Sequence, residues 1–398
     1  MVSMSRVVLL LGCLANAVSE AAVFPLPAPG NDLVGEVVMV TVQSGDTLLD
    51  IARRHDLGYK EIVAANPDVD PWLPPVGGPV LVPTRFILPN TPREGIVINL
   101  AEMRLYYFPA RQQNGQGVVM TFPIGIGQEG WSTPLGKTRV IAKKRNPAWT
   151  VPESIRRESV VQGDPLPAVV PPGPDNPLGQ YAMRLGIPGY LIHGTNKPFG
   201  VGRRISHGCI RMYPEDIEVL FGEVSLGTTV RIVDQPYKVG RENGNLYLEA
   251  HEPITDQNAP QADNLPRAIQ AITAVIPFPQ REQVRTRAMA VAGRHSGIPH
   301  QVATIGDARQ SRQEGWMLQV GAFSSMENAM RMVAAVAWLE MPVAVEARVN
   351  DGFCHVLVGP FPIQEAAEEA LLKLAVQGGV EAHIFPADRH GGLSACLP

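Results

Sequence analysis

The chain has 398 residues, is 45% apolar and 18% charged, carries a formal net charge of −4, and holds 38 glycines and 37 prolines. That length predicts two to three domains with sizeable cores, and glycine plus proline stay below the level of general disorder. The mild negative charge excludes a generic nucleic-acid footprint, so no nucleic-acid partner is expected.

At the start, Arg6 precedes the apolar run Val7-Val8-Leu9-Leu10-Leu11, and Ala15-Asn16-Ala17 has the small-x-small form of a cleavage site. Residues 1–17 therefore read as an export signal, too short to span a bilayer. A second reading keeps Leu10-Leu11-Gly12-Cys13 as a lipobox-like stretch in which Cys13 is acylated. Both readings put the mature chain in an oxidising compartment. Cys209, Cys354 and Cys396 are then an odd set, so one thiol is expected to stay free. Cys354 and Cys396 are the candidate pair.

Within residues 37–84, the alternation Val38-Met39-Val40-Thr41-Val42 predicts a strand. Ser44-Gly45-Asp46-Thr47 then caps a helix whose Leu48, Ile51 and Ala52 share one face. A second helix over 59–65 is stopped by Asn66-Pro67, and a strand over 79–83 closes a βααβ unit. Gly45-Asp46-Thr47-Leu48, Ile51-Ala52 and Ala65-Asn66-Pro67 resemble a LysM module. The resemblance implies binding to glycans that contain N-acetylglucosamine.

Residues 93–235 read as mainly β. A hairpin is predicted from 96–100 and 104–108, with further strands over 118–125, 138–143, 180–185, 190–194 and 229–233. Helical patterns cover 152–160 and 215–221. The proline-rich stretch 163–179 suits no regular element, and so long a loop inside a compact domain is often functional. Residues 236–313 read as an extension and linker, with a helix over 267–275. In 314–388 a β-α-β pattern occurs twice, with Leu318-Gln319-Val320-Gly321-Ala322-Phe323 and Val356-Leu357-Val358-Gly359-Pro360-Phe361 at corresponding places. This unit resembles a SPOR domain, which implies an α+β ferredoxin/RNP-like fold. It also implies binding to glycan strands stripped of their peptides, as gathered at division sites.

Ile192-His193-Gly194-Thr195 and Ser206-His207-Gly208-Cys209-Ile210-Arg211 carry the chemistry. A sulfur nucleophile must be a thiolate, and an ordinary thiol near neutrality is only a few per cent ionised. An imidazole that takes the proton favours a thiolate–imidazolium pair. His193 and His207 both qualify as that base. His193 ends a predicted strand and can aim across at the loop bearing Cys209. His207, two residues from Cys209, is better placed to orient the loop or the substrate. Gly208 permits a tight backbone that turns the N–H groups of Gly208 and Cys209 toward an oxyanion. Arg211 forks onto carboxylates and suits a substrate rich in them. Ser206 and Gly194 complete the expected substrate-binding set. No fourth ligand stands at a zinc-like spacing, so neither a metal nor another cofactor is expected.

Together with Ser132-Thr133-Pro134-Leu135-Gly136, Asn146-Pro147-Ala148-Trp149-Thr150 and Leu246-Tyr247-Leu248-Glu249, this block resembles the L,D-transpeptidase (YkuD-type) catalytic domain. The resemblance implies that Cys209 attacks the diaminopimelate carbonyl of a tetrapeptide stem, expels D-alanine and passes the acyl group to an amine. A diaminopimelate side chain gives a 3→3 cross-link; a lysine of an outer-membrane lipoprotein gives anchoring. It further implies a periplasmic location, septal enrichment through the SPOR unit, and acylation of Cys209 by carbapenems. Two other readings share most of these residues: a carboxypeptidase or exchange enzyme on the same stems, and a wall-binding protein without catalysis.

Overall fold

The computed structural model describes residues 22–110, 117–255, 264–276, 278–305, 316–336, 343–348, 353–361, 364–386 and 393–394. They form two compact units. One holds residues up to 243 with 247–268 and 289–301, and the other holds 244–246, 269–288 and those from 302 on. Cys13 and Cys396 fall outside the described residues, and with them the lipidation reading and the Cys354–Cys396 pairing.

The first unit opens with a strand that sequence patterning did not suggest, β1 (Ala22–Pro25). The βααβ module follows as β2 (Leu33–Thr41), α1 (Leu48–Arg54), α2 (Tyr59–Ala65) and β3 (Pro79–Ile87). Both module strands are longer than the alternation suggested, and they pair antiparallel from Leu33↔Ile87 to Thr41↔Pro79. Thr47 and Asp50 form a reciprocal cap that starts α1. Asn66 ends α2: its amide donates to the carbonyls of Ile62 and Leu81, and its oxygen accepts from the Leu81 N–H.

Beyond the module come β4 (Gly95–Asn99), β5 (Arg104–Phe108), β6 (Val118–Pro123), β7 (Ile126–Gly127), β8 (Gly136–Arg145), β9 (Trp149–Thr150) and α3 (Glu153–Val161). Then follow β10 (Val169–Val170), β11 (Tyr181–Leu185), β12 (Leu191–His193), β13 (Arg204–Ser206), β14 (Ile210–Arg211), α4 (Pro214–Glu223) and β15 (Thr229–Val233). Nine strands make one mixed sheet in the order β1-β6-β5-β4-β15-β8-β11-β12-β14.

Strand alternation explains how this sheet serves two cores. On β4, Ile96 and Ile98 join Leu105, Tyr107 and Phe122 under α4, while Val97 goes to the other face with Tyr106, Phe108 and Val119. That second face packs against Leu48, Ile51, Leu57 and Ile62 of the module, so module and sheet share one core. Each such apolar side chain contributes about 1.5–3 kcal/mol when fully buried. The module is therefore built into the catalytic unit rather than hung beside it.

Two readings need correction here. The stretch over 163–179 does hold a regular element, since β10 pairs antiparallel with β9. The region read mainly as linker holds, besides the expected helix, which spans Leu265–Ala274, a second helix, Phe278–Ala292, and a strand, His300–Thr304.

In the second unit, Trp316–Phe323, Val343–Arg348, Cys354–Phe361 and His383–Pro386 form an antiparallel sheet. Helices Met326–Val336 and Gln364–Lys373 follow its first and third strands. The spatial order of the four strands is 4-1-3-2, with Leu393–Ser394 added at one edge. This is the ferredoxin-like arrangement that the resemblance to a SPOR domain implied.

Candidate active site

Neighbouring strands bring the two sequence signatures together. β12 and β14 run parallel with Ile192 opposite Ile210 and His193 opposite Arg211. The N–H of Met212 also donates to the His193 carbonyl at 2.9 Å. Cys209 therefore enters β14 beside the end of β12. Cys209, His193, His207, Ser206 and Arg211 all line one cavity of about 530 Å³. Gly194 and Gly208 do not line it and act through the backbone.

A glycine and three hydrogen bonds fix the turn that carries Cys209. Gly208 has φ +97°, a region L side chains avoid, and a Cβ there would lie 2.9 Å from the Tyr190 ring. The Thr133 hydroxyl donates to the Gly208 carbonyl at 2.8 Å, and the Ser206 hydroxyl donates to the Cys209 carbonyl at 2.6 Å. The Tyr190 hydroxyl donates to the Ser132 carbonyl at 3.2 Å. In a trans peptide the N–H points opposite to the C=O, so tying back the Gly208 carbonyl leaves the Cys209 N–H facing away from Thr133.

The electrostatics oppose a resting ion pair. His193 is 3% exposed. Burial first, and then Arg211, push its pKa down to about 3. Its Nδ1 lies 2.6 Å from the Gly194 carbonyl, which can only accept. Nδ1 therefore carries the proton and Nε2 keeps its lone pair. Burial raises the Cys209 thiol, while the Leu191 N–H and Arg211 pull it back. The thiol donates to the Gly189 carbonyl at 3.6 Å. Burial thus favours the neutral thiol and neutral imidazole over a thiolate–imidazolium pair.

His207 is held from the side of α3. Its Nε2 lies 3.1 Å from a carboxylate oxygen of Glu158 on α3, and Trp131 packs edge-on to its ring at 5.0 Å. Arg211 is held through its backbone by Gly125, at 2.8 and 2.9 Å. Its Nε is buried with no hydrogen-bond partner among the described residues.

The far wall draws on two segments the sequence had singled out, Asn146–Thr150 and the proline-rich stretch 163–179, but the roles of Lys144, Ile155 and Arg184 were not foreseen. Trp149, Pro152, Ile155, Pro177 and Leu178 supply apolar surface, while Lys144 and Arg184 add positive charge. Asn176, 1% exposed, donates to the carbonyls of Pro147 and Pro171 at 2.9 and 3.0 Å and so braces this wall. A buried Asn in a proline-rich run was the available signal. Elsewhere in the unit, Glu102, Glu249 and His251 are the one metal-type cluster among the described residues. Lys238 bridges its two carboxylates at 2.8 and 2.7 Å and supplies the cation itself.

Three regions match known families. Family models match for the LysM domain over 40–77, the L,D-transpeptidase catalytic domain over 93–232 and the SPOR domain over 313–385. The chain is 45% identical over 245 residues to "Probable L,D-transpeptidase YbiS" of Escherichia coli K12, covering 61% of this chain and 78% of the relative. It is 41% identical over 295 residues to "Probable L,D-transpeptidase ErfK/SrfK" of the same strain, covering 73% and 94%. A solved L,D-transpeptidase catalytic domain from E. faecium aligns over 36% of this chain and 99% of its own length, at 24% identity and a TM-score of 0.26.

Proposed function

The chain belongs to the L,D-transpeptidase family, and from that premise we propose that it re-forms peptide bonds in peptidoglycan through an acyl group carried on Cys209. The donor is a stem tetrapeptide. His193 Nε2 takes the thiol proton as sulfur attacks the diaminopimelate carbonyl. The S–C bond forms, the C–N bond to D-alanine breaks, and the proton returns to the leaving amine. An acceptor amine then attacks the thioester and releases the thiol. The N–H of Cys209, with that of Gly208, is the candidate donor set for the oxyanion. Arg211, Arg184 and Lys144 suit the stem's carboxylates, while Ser206 ties the Cys209 turn and the Gly194 carbonyl orients His193. His207 orients the catalytic turn.

The observation that carries this reading is the gathering of Cys209, His193 and Arg211 around one cavity. The LysM and SPOR domains are peptidoglycan-binding and place the protein facing the cell wall. The periplasm is the compartment proposed, with septal enrichment through the SPOR domain. A diaminopimelate side chain or a lipoprotein lysine is the proposed acceptor; water would give stem trimming by the same acyl-enzyme. Wild type and Cys209→Ala are to be expressed in cells lacking related enzymes and their muropeptides compared. Loss of 3→3 dimers or of lipoprotein-linked muropeptides in the variant is expected. Identical profiles would sink the assignment, and shortened stems alone would turn it into a carboxypeptidase.

A further inference from the structure

The first unit buries a cluster of charge that the proposed reaction does not use. Asp56, just past α1, and Asp216, in the first turn of α4, are 4% and 1% exposed. Their side chains meet, and burial raises both carboxyls, Asp56 to about 6. Unless a proton is shared, Asp56 Oδ1 and Asp216 Oδ2 have no donor among the described residues. Arg104 faces the pair, but Glu61 occupies its Nε at 2.7 Å and its Nη2 at 3.0 Å. Arg53 is gripped by both oxygens of Glu215, and the Tyr213 hydroxyl donates to the Leu57 carbonyl. In their ionised forms Asp56, Glu61 and Asp216 set three negative charges against the single positive charge of Arg104. Either a proton shared between Asp56 and Asp216 or a further cation has to balance that charge.

The remaining oxygen of Asp56, Oδ2, accepts a hydrogen bond from the main-chain nitrogen of Ala22 at 3.0 Å. Ala22 is the first residue of β1, and its pairing with Thr121 holds that nitrogen in place. The Thr121 hydroxyl in turn accepts from Arg104 at 2.6 Å. Immediately before Ala22 the sequence reads Ser19-Glu20-Ala21, a second small-x-small pattern.

We propose that the export signal is removed between Ala21 and Ala22, and that the α-ammonium this frees binds Asp56 as the balancing cation. Water splits the peptide bond; Ala21 leaves as a carboxylate and Ala22 gains the ammonium. The existing contact, a neutral N–H donating to the Asp56 carboxyl, then becomes a hydrogen-bonded ion pair. It sits where α1, α4 and the edge of the sheet meet, so processing fastens the LysM module to the helix that follows the catalytic turn. A cut after Ala17 leaves four residues ahead of β1 and a neutral amide at Ala22. The proposal does not depend on the transpeptidase reading.

The full chain is to be exported in a Gram-negative host, purified, and its first residue read by intact mass and terminal sequencing. Ala22 is expected; Val18 or an acylated Cys13 would overturn the processing site. Chains beginning at Ala22 and at Val18, each with Asp56 or with Asp56→Asn, are then melted between pH 6 and 9. Asn tolerates the φ of +55° that Asp56 holds. At pH 7 the Ala22 chain is expected to melt about 2–4 °C above the Val18 chain. That gap should vanish in Asp56→Asn. Pairing raises the ammonium's pKa in the folded state, so the gap is present below its ordinary value of about 7.7–8.0 and shrinks as pH rises through the folded value. Equal melting of the two Asp56 chains, or a gap that survives Asp56→Asn, would overturn the ion pair. If Asp56→Asn folds poorly, the pKa of the α-ammonium read by NMR supplies the test: a value raised in the Ala22 chain and not in the Val18 chain is expected, and equal values would overturn the pair.

Discussion

Burial raises the Cys209 thiol and lowers His193, so the attacking thiolate has to be generated during attack rather than stored beforehand. A base with a pKa of about 3 stays neutral throughout the useful pH range. Acylation of Cys209 by a carbapenem is therefore expected to change little between pH 6 and 8, with no inflection near the ordinary histidine value of about 6.5, and to turn only where the thiol itself ionises. Stopped-flow measurement of the adduct checks this; an acidic limb near that value would argue for a resting ion pair. Arg211 lowers the thiol, so Arg211→Gln should move the profile to higher pH. Gly208→Ala meets two obstacles, a backbone conformation costing ~1–2 kcal/mol for an L residue and the Tyr190 ring at 2.9 Å. If its turn aims an oxyanion donor, the rate should fall by about 10²–10³-fold while the fold survives, measurable by acylation rate against melting temperature.

At the scale of elements, α3 is where the pattern of residues was informative and its role was not. The apolar spacing over 152–160 predicted a helix, and one spans Glu153–Val161. Nothing local said that Glu158 would meet His207, because 49 residues separate them and the intervening strands decide the approach. The pair is about a quarter to a third exposed, so its direct contribution to stability is small, ~0–1 kcal/mol. Its effect should be on position. Glu158→Gln is expected to slow Cys209 acylation roughly tenfold with little change in melting, since small misplacements are costly at a reacting centre. Unchanged acylation would reduce the pair to a surface contact. β1 was illegible for a related reason. Its four residues end in proline and alternate too briefly to register, and its partner β6 lies far along the chain.

Over the whole molecule, three domains were readable because each carries local signatures: a capped helix pair, a histidine and cysteine at fixed spacing, and a doubled β-α-β pattern. What stayed hidden was that two of them share a core. The runs Gly95–Asn99 and Arg104–Phe108 are apolar on both faces, which announces double burial but not what covers the second face. The answer is the LysM helices, with Arg104 fully buried at the seam and bound to Glu61 at 2.7 Å. Arg104→Met strands Glu61 without its partner and should cost ~3–5 kcal/mol, read by denaturant unfolding. The SPOR unit differs, since its core from Leu318 to Leu374 is drawn from its own residues. Truncation before residue 314 should therefore leave the catalytic unit folded and equally active on soluble muropeptides. The same truncation should disperse a fluorescent fusion from the division site. Two binding modules on one catalyst raise the local concentration of a polymeric substrate, so activity on intact sacculi should fall even as soluble turnover holds. Septal signal retained by the truncated protein would mean that something other than the SPOR domain directs it there.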